Sequence, residues 1–184
     1  MNLQKQLRCV YLHAFFSTLR FTDAVWVALL AARGFSLAEI GLAEGVFHLT
    51  SLLCEVPSGM AADLLGRRRT LIFGGVLGVF SALAMASAPG LGLICTAMAL
   101  KALGYNMLSG TAEALIYDSL KMAGREKDYI KVDANASICM KIATALGSLA
   151  SLLAGVLRYA GYYLADAVSA PVSYAHLRAH ETLR

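Results

Sequence analysis

Glu44, His48, Ser51 and Glu55 stand at i, i+4, i+7 and i+11, and at about 100° per residue they share one narrow face of a helix. Two carboxylates, an imidazole and a hydroxyl in such a line either carry protons or a solute, or form hydrogen bonds that fix neighbouring helices. Arg20 and Asp23, three residues apart with His13 two turns earlier, make a second set. As helical neighbours they partly neutralise one another, which suits either a structural pair or the wall of a water-filled cavity. Lys101 has no acid close to it in its own stretch of sequence, so its partner is expected on another helix, and Asn106, Ser109 and Glu113 form a polar stripe leading toward Tyr117 and Asp118. The most specific segment is Gly59-Met-Ala-Ala-Asp63-Leu-Leu-Gly66-Arg67-Arg68-Arg69. Gly59 allows another helix to come close, Asp63 ends its helix, Gly66 permits a sharp turn, and the arginines offer fixed donors to carboxylates. An acid beside such a cluster is either a latch that opens and closes or a topology signal.

These groups matter because of what surrounds them. Of 184 residues 58% are apolar and only 15% charged, against roughly 45–50% and 25% in an ordinary soluble domain. The apolar residues come in long runs, and about 20 of them suffice to cross a hydrocarbon layer about 30 Å thick. The composition excludes a soluble enzyme, and the absence of period-2 alternation excludes an outer-membrane barrel. The sequence predicts an all-α, polytopic membrane bundle of about five transmembrane helices, at residues 10–32, 37–62, 70–88, 91–117 and 136–157. Ser36 and Glu39 form a capping box flanked by Phe35 and Ile40, which starts the second helix at Leu37. Small residues at Gly74, Gly78, Ala82 and Ala86, and at Gly147, Ser151 and Gly155, make two stripes suited to close helix packing.

The net charge of +4, from 16 basic and 12 acidic residues, lies between the apolar runs and forms no continuous surface for nucleic acid. Lys5, Arg8, Arg67, Arg68, Arg69, Lys121, Arg125, Lys127, Lys131 and Lys141 fall on one side of the expected layer, and only Arg33 and Arg158 on the other. Positive residues stay inside, so the expectation is a multi-pass protein of the cytoplasmic membrane with its N-terminus in the cytoplasm. The four cysteines are scattered without a CxxC pair, which gives neither a disulfide framework nor a zinc site.

The Gly59–Arg69 segment resembles the signature loop of the major facilitator superfamily, G-x-x-x-D-R/K-x-G-R/K-R/K, with Gly59, Asp63, Gly66, Arg67 and Arg68 in register and Leu64 in place of a basic residue. Glu55-Val-Pro57-Ser58 before it, and Ser109-Gly110-Thr-Ala-Glu113-Ala-Leu-Ile-Tyr117-Asp118, are similar to a bacterial drug- or metabolite-transporter branch. The resemblance covers about Leu7 to Arg158. It implies the N-terminal half-bundle of a transporter whose sixth helix is incomplete, with Asp63 and Arg67 in a cytoplasmic gate that engages Glu113 or Asp118. It further implies a peripheral third helix, and a central cavity lined by the first and fourth helices through Arg20, Asp23 and Lys101. Glu44, His48 and Glu55 remain candidates for a substrate or proton path. Lys101 and Gly104 stand one residue closer than the R-x-x-x-G of proton-coupled members, and no proline occurs in the fifth span.

On this reading residues 1–166 are an N-terminal half-bundle, and 167–184 a non-native or disordered tail in which His176 and His180 lack a third ligand for a metal. The expected function is that of a truncated secondary active transporter, inactive as a fragment, for a small solute or drug. Its partners are the lipid bilayer, a small-molecule substrate and a missing C-terminal half. It needs no cofactor beyond a proton or sodium gradient. Chemistry of the enzymatic kind is not expected, since G-x-S-G, H-E-x-x-H and G-x-G-D patterns are lacking. The alternative is a short accessory membrane protein that packs against a partner. With the N-terminus inside, a cysteine placed between residues 118 and 133 is expected to react with a membrane-impermeant maleimide only after the cells are opened. Labelling of intact cells contradicts the orientation.

Overall fold

A computed structural model of the chain describes residues 3–151 and 161–168. Among these residues every regular element is helical: α1 (Leu3–Thr18), α2 (Trp26–Ala32), α3 (Leu37–Leu65), α4 (Arg67–Ser87), α5 (Leu91–Met122), a 3-10 turn (Glu126–Asp128) and α6 (Tyr129–Ser151). A further helical stretch, α7, covers 161–168. Three of the helices are long and apolar enough to cross a membrane, over Leu37–Leu65, Arg69–Ser87 and Leu91–Ser109. The chain is therefore a membrane protein with an all-helical fold. The tail from 169 onward, with His176 and His180, lies outside the described residues, as do Gly155 and the rest of 152–160.

The expected first span over 10–32 is not one helix. The chain leaves helical geometry between α1 and α2, where the hydroxyls of Ser17 and Thr18 donate to the Ala14 carbonyl at 3.2 and 2.8 Å. Such bonds from a side chain to its own preceding turn compete with the helical ladder. A turn then closes from Val25 N and Trp26 N onto the Thr22 carbonyl at 3.0 and 2.8 Å. α6 covers only the first part of the expected fifth span at 136–157, whose residues 152–157 lie outside the described residues, and the described part is not among the three apolar spans.

The other boundaries follow from local chemistry. Ser36 caps α3 in a reciprocal box with Glu39: Ser36 Oγ accepts from Glu39 N at 3.3 Å, and Ser36 N donates to Glu39 Oε2 at 2.8 Å. α3 continues past the expected stop at residue 62, so that Asp63 sits inside its last turn instead of ending it. Nothing at Asp63, Leu64 or Leu65 breaks a helix. Gly66 does, with φ +88° and ψ 139°, a conformation that L side chains rarely adopt. α5 has 32 residues, about 48 Å at 1.5 Å each, which exceeds the hydrocarbon layer. Its polar end therefore stays helical to Met122, where the expected loop was to begin at Asp118. It ends when Arg125 N bonds the Leu120 carbonyl at 2.9 Å and Gly124 N that of Lys121 at 3.0 Å, the Schellman pattern with a left-handed glycine.

Packing is closest between α4 and α5. A Cβ on Gly104 would come within 2.8 Å of the Gly74 carbonyl oxygen, and one on Gly74 within 3.0 Å of both the Gly104 oxygen and Met107 Cβ. Backbones can touch here because neither residue has a side chain, which is how helices associate where lipid gives no hydrophobic drive. Ser81 Oγ adds a 2.7 Å bond across the same interface to the Ala97 carbonyl. Gly59, in contrast, has nothing within 4 Å of a Cβ among the described residues, so no described helix approaches closely there. The core divides in two. Leu30, Ile40, Met85, Ile94, Met98 and Tyr163 cluster at the end where α2 meets α3 and α4 meets α5. Ala14, Ile116, Leu120, Val132 and Ala136 cluster at the other, beside the 3-10 turn.

Gly104→Val is expected to cost about 1–3 kcal/mol through overpacking, read as a lower melting temperature in detergent. Gly92→Ala, which meets nothing within 4 Å, serves as the control. Equal melting of the two variants contradicts the packing described.

Candidate functional site

Between the two apolar clusters lies a cavity of about 490 Å³, walled by α1, the break, α4, α5, α6 and α7. Its volume falls in the range of small-molecule sites, about 300–1,000 Å³. The ionisable side chains in its wall are His13, Arg20, Asp23, Lys101, Glu113, Asp133 and Asp166, set among Trp26, Met85, Met98, Tyr105 and other apolar groups.

Arg20 and Asp23 do not form the helical pair expected of them, because both stand in the break and not on a helix. Asp23 turns to Lys101 of α5, Oδ1 to Nζ 3.1 Å. The partner of Lys101 thus comes from the break between α1 and α2. The two side chains keep 41% and 51% of their surface open, Lys101 and Asp23 respectively, so the pair faces cavity space and is not sealed in protein. Arg20 lies along α4, with Nη2 3.8 Å from where a Cβ on Gly78 would stand. The small stripe of α4 therefore has a second use: Gly74 meets α5, and Gly78 makes room for a guanidinium. α4 is a cavity wall on that face, while Phe73, Val76 and Phe80 point outward.

Sequence reasoning missed Asp166. This α7 residue is 2% exposed and takes a hydrogen bond from Phe21 N at 2.7 Å and another from the Thr22 hydroxyl. Both donors belong to the break. The charge of Arg20 also reaches this carboxyl. The only sequence signal was an acid in the short Gly161-Tyr-Tyr-Leu-Ala-Asp166 run; its target could not be read from α7 itself.

The polar face of α3 is split. Ser51 Oγ donates to Asn106 Oδ1 at 2.7 Å and Asn106 Nδ2 returns a bond to the Ser51 carbonyl at 2.6 Å, which clamps α3 to α5. Glu44 and His48 pair with each other instead, Oε1 to Nε2 3.2 Å, with 41% and 70% of their side-chain surface open. Neither they nor Glu55 lines the cavity. The stripe on α5 divides likewise: Asn106 holds α3, whereas Ser109 and Glu113 reach the cavity wall.

At the end near Gly66, Arg67 Nε lies 3.0 Å from Asp118 Oδ2. Of the two acids considered for Arg67, Asp118 is the one it meets, and Glu113 faces the cavity. Asp63 is exposed, and the Arg68 side chain lies outside the described residues. Tyr129 stacks edge-on against Tyr117 at 5.7 Å. Burial, followed by the charges of Asp133 and Glu113, pushes its phenol above the usual tyrosine value. Among the described residues no group of three or more His, Cys, Asp or Glu could hold a metal ion.

Removing one partner of the Asp23–Lys101 pair leaves an uncompensated charge in the wall. Lys101→Ala is expected to lower the melting temperature by about 2–4 °C, equivalent to about 1 kcal/mol in a chain of this size. The double variant Asp23→Asn/Lys101→Ala is expected to recover at least half of that loss, whereas additive losses would mean the two charges do not interact. Compared with protein-family models and with curated proteins, the chain matches none.

Proposed function

We propose that the chain is the first half-bundle of a secondary active transporter of the major facilitator type. The whole transporter moves a small solute across the cytoplasmic membrane by alternating access, with its N-terminus in the cytoplasm, and this half alone is inactive. The observation that carries this reading is the cavity with Arg20, Asp23, Lys101 and Asp166 in its wall, since ionisable groups at membrane depth mark solute and ion paths. Lys101 belongs to the apolar span Leu91–Ser109, and its pairing with Asp23 shows what keeps such a charge tolerable there.

The Gly59–Arg69 loop supports the same reading. Gly66 turns the chain sharply into α4, and Arg67, the first residue after it, reaches Asp118 on α5. In a gate, this ion pair holds the cytoplasmic ends of α4 and α5 together and separates when the cavity opens to that side. Half-exposed pairs of this kind are worth about 0–1 kcal/mol, weak enough to open and close. The second half of the transporter then faces α3, where Glu44, His48 and Glu55 meet it or the solute, and a proton or sodium gradient drives the cycle.

A second reading, an accessory protein that packs against another membrane protein, draws on α3 alone. Only 11% of its most apolar window is buried, and Gly41 and Gly45 beside Glu44 have nothing within 4 Å of a Cβ. Uptake of radiolabelled small solutes into proteoliposomes under an imposed proton or sodium gradient, by the chain alone and by the chain joined to its second half, separates the two. Transport predicts accumulation of at least one solute by the joined protein only, and a fall of at least about tenfold there in Lys101→Ala. An absence of uptake, with stoichiometric co-purification of another membrane protein, favours the accessory role.

A further inference from the structure

Of the acids in the cavity wall, Asp166 stands in a different position from the rest. Asp23 is already matched by Lys101 at 3.1 Å. Glu113 and Asp133 lie toward the Gly66 end, near Tyr129. Asp166 is almost fully buried, yet it still lines the cavity, and its two oxygens hold the unwound backbone of the first span through Phe21 N and the Thr22 hydroxyl. The charged groups around it are Arg20 and Asp23 from the break, with Lys101 of α5 bound to Asp23. The lining residues of α4 carry no charge, α1 contributes His13, α5 also Tyr105 and Glu113, α6 Asp133, and α7 itself Tyr163.

We propose that Asp166 is the proton-binding acid of the cavity and that its protonation frees Arg20 to bind a small organic anion. This rests on the transporter reading and gives it a substrate class and a coupling ion, namely symport of a proton with a carboxylate-bearing solute. The charges balance at each stage. While Asp166 is ionised, it offsets Arg20 through space, Asp23 offsets Lys101, and this part of the cavity is neutral. A proton that bonds to one Asp166 oxygen removes one negative charge and turns that oxygen from an acceptor into a donor. Arg20 is then left with an uncompensated positive charge beside open cavity space, and an incoming monoanion restores neutrality. Its guanidinium offers paired N–H donors that match a carboxylate. The same proton weakens the hold on Phe21 and Thr22, so ligand binding and the shape of the broken span change together.

Trp26, the single tryptophan of the chain, follows the break and lines the cavity, and reports on both. The test uses the full chain in nanodiscs, with Trp26 emission followed against pH and radiolabelled benzoate as the anion probe. The expected wild-type result is one emission transition. Benzoate binding should weaken about tenfold per pH unit above its midpoint, as linkage to one proton requires. Asp166→Asn is expected to flatten both pH dependences. Arg20→Gln is expected to keep the emission transition and to lose benzoate binding. Should Asp166→Asn fail to fold, Asp166→Glu retains an acid and is expected to titrate with a displaced midpoint. A wild-type transition in Asp166→Asn, an unchanged midpoint in Asp166→Glu, or benzoate binding that is absent or independent of pH overturns the inference. The transporter reading then still stands or falls on its Lys101 dependence. Proton-linked benzoate binding without gradient-driven benzoate uptake by the chain joined to its second half keeps the Asp166–Arg20 site and removes the transport reading.

Discussion

Peptide groups at membrane depth must find their hydrogen bonds within the protein, and non-helical backbone survives there only where protein or a cavity covers it. The segment between α1 and α2 meets that condition through one side chain. Asp166 accepts from Phe21 N and from the Thr22 hydroxyl, so α7 supplies the bonds that α1 and α2 cannot supply alone. Gly147 on α6 allows the backbone of Arg20 to lie against it, closing the other side of the break. From the break, Asp23 reaches α5 and Arg20 reaches α4.

The cavity exists because close contact is concentrated elsewhere. α4 and α5 touch backbone to backbone at Gly74 and Gly104, and Ser51 with Asn106 clamps α3 to α5. These three helices form one wall, joined near its middle. α1 packs on α6 at the opposite side through Ala14, Val132 and Ala136, and an apolar cluster closes each end. What remains between the two walls is a space whose polar groups are held from at least three different elements. A change in charge at one of them is felt by its neighbours in the wall through space.

Much of the architecture is legible from local chemistry. Ser36 and Glu39 cap α3 because a hydroxyl and a carboxylate three residues apart satisfy free amides at a helix start whatever surrounds them. Gly66 turns the chain because glycine alone adopts its backbone angles without strain. Gly74 and Gly78 announce close packing because an absent side chain is itself a property of sequence. Other readings failed where a residue had a choice. Asp63 could end a helix but did not, since Gly66 stood three residues further on. Arg20 and Asp23 at i and i+3 would be partners on a helix, and the helix is absent. The polar line from Glu44 to Glu55 left two uses open, and at Ser51 the structure takes one of them, a hydrogen-bonded clamp to Asn106 of α5.

The sequence by itself determined that this is a helical membrane protein, where most of its helices begin and turn, and which charges must be sheltered from lipid. Those properties depend on a residue and its neighbours within a turn or two. Tertiary structure alone decided which charge meets which. Lys101 finds Asp23 from 78 residues away, Phe21 finds Asp166 from 145, and Arg67 chooses Asp118 over Glu113. An ion pair or a hydrogen bond depends on separation in space, and a sequence records separation along the chain.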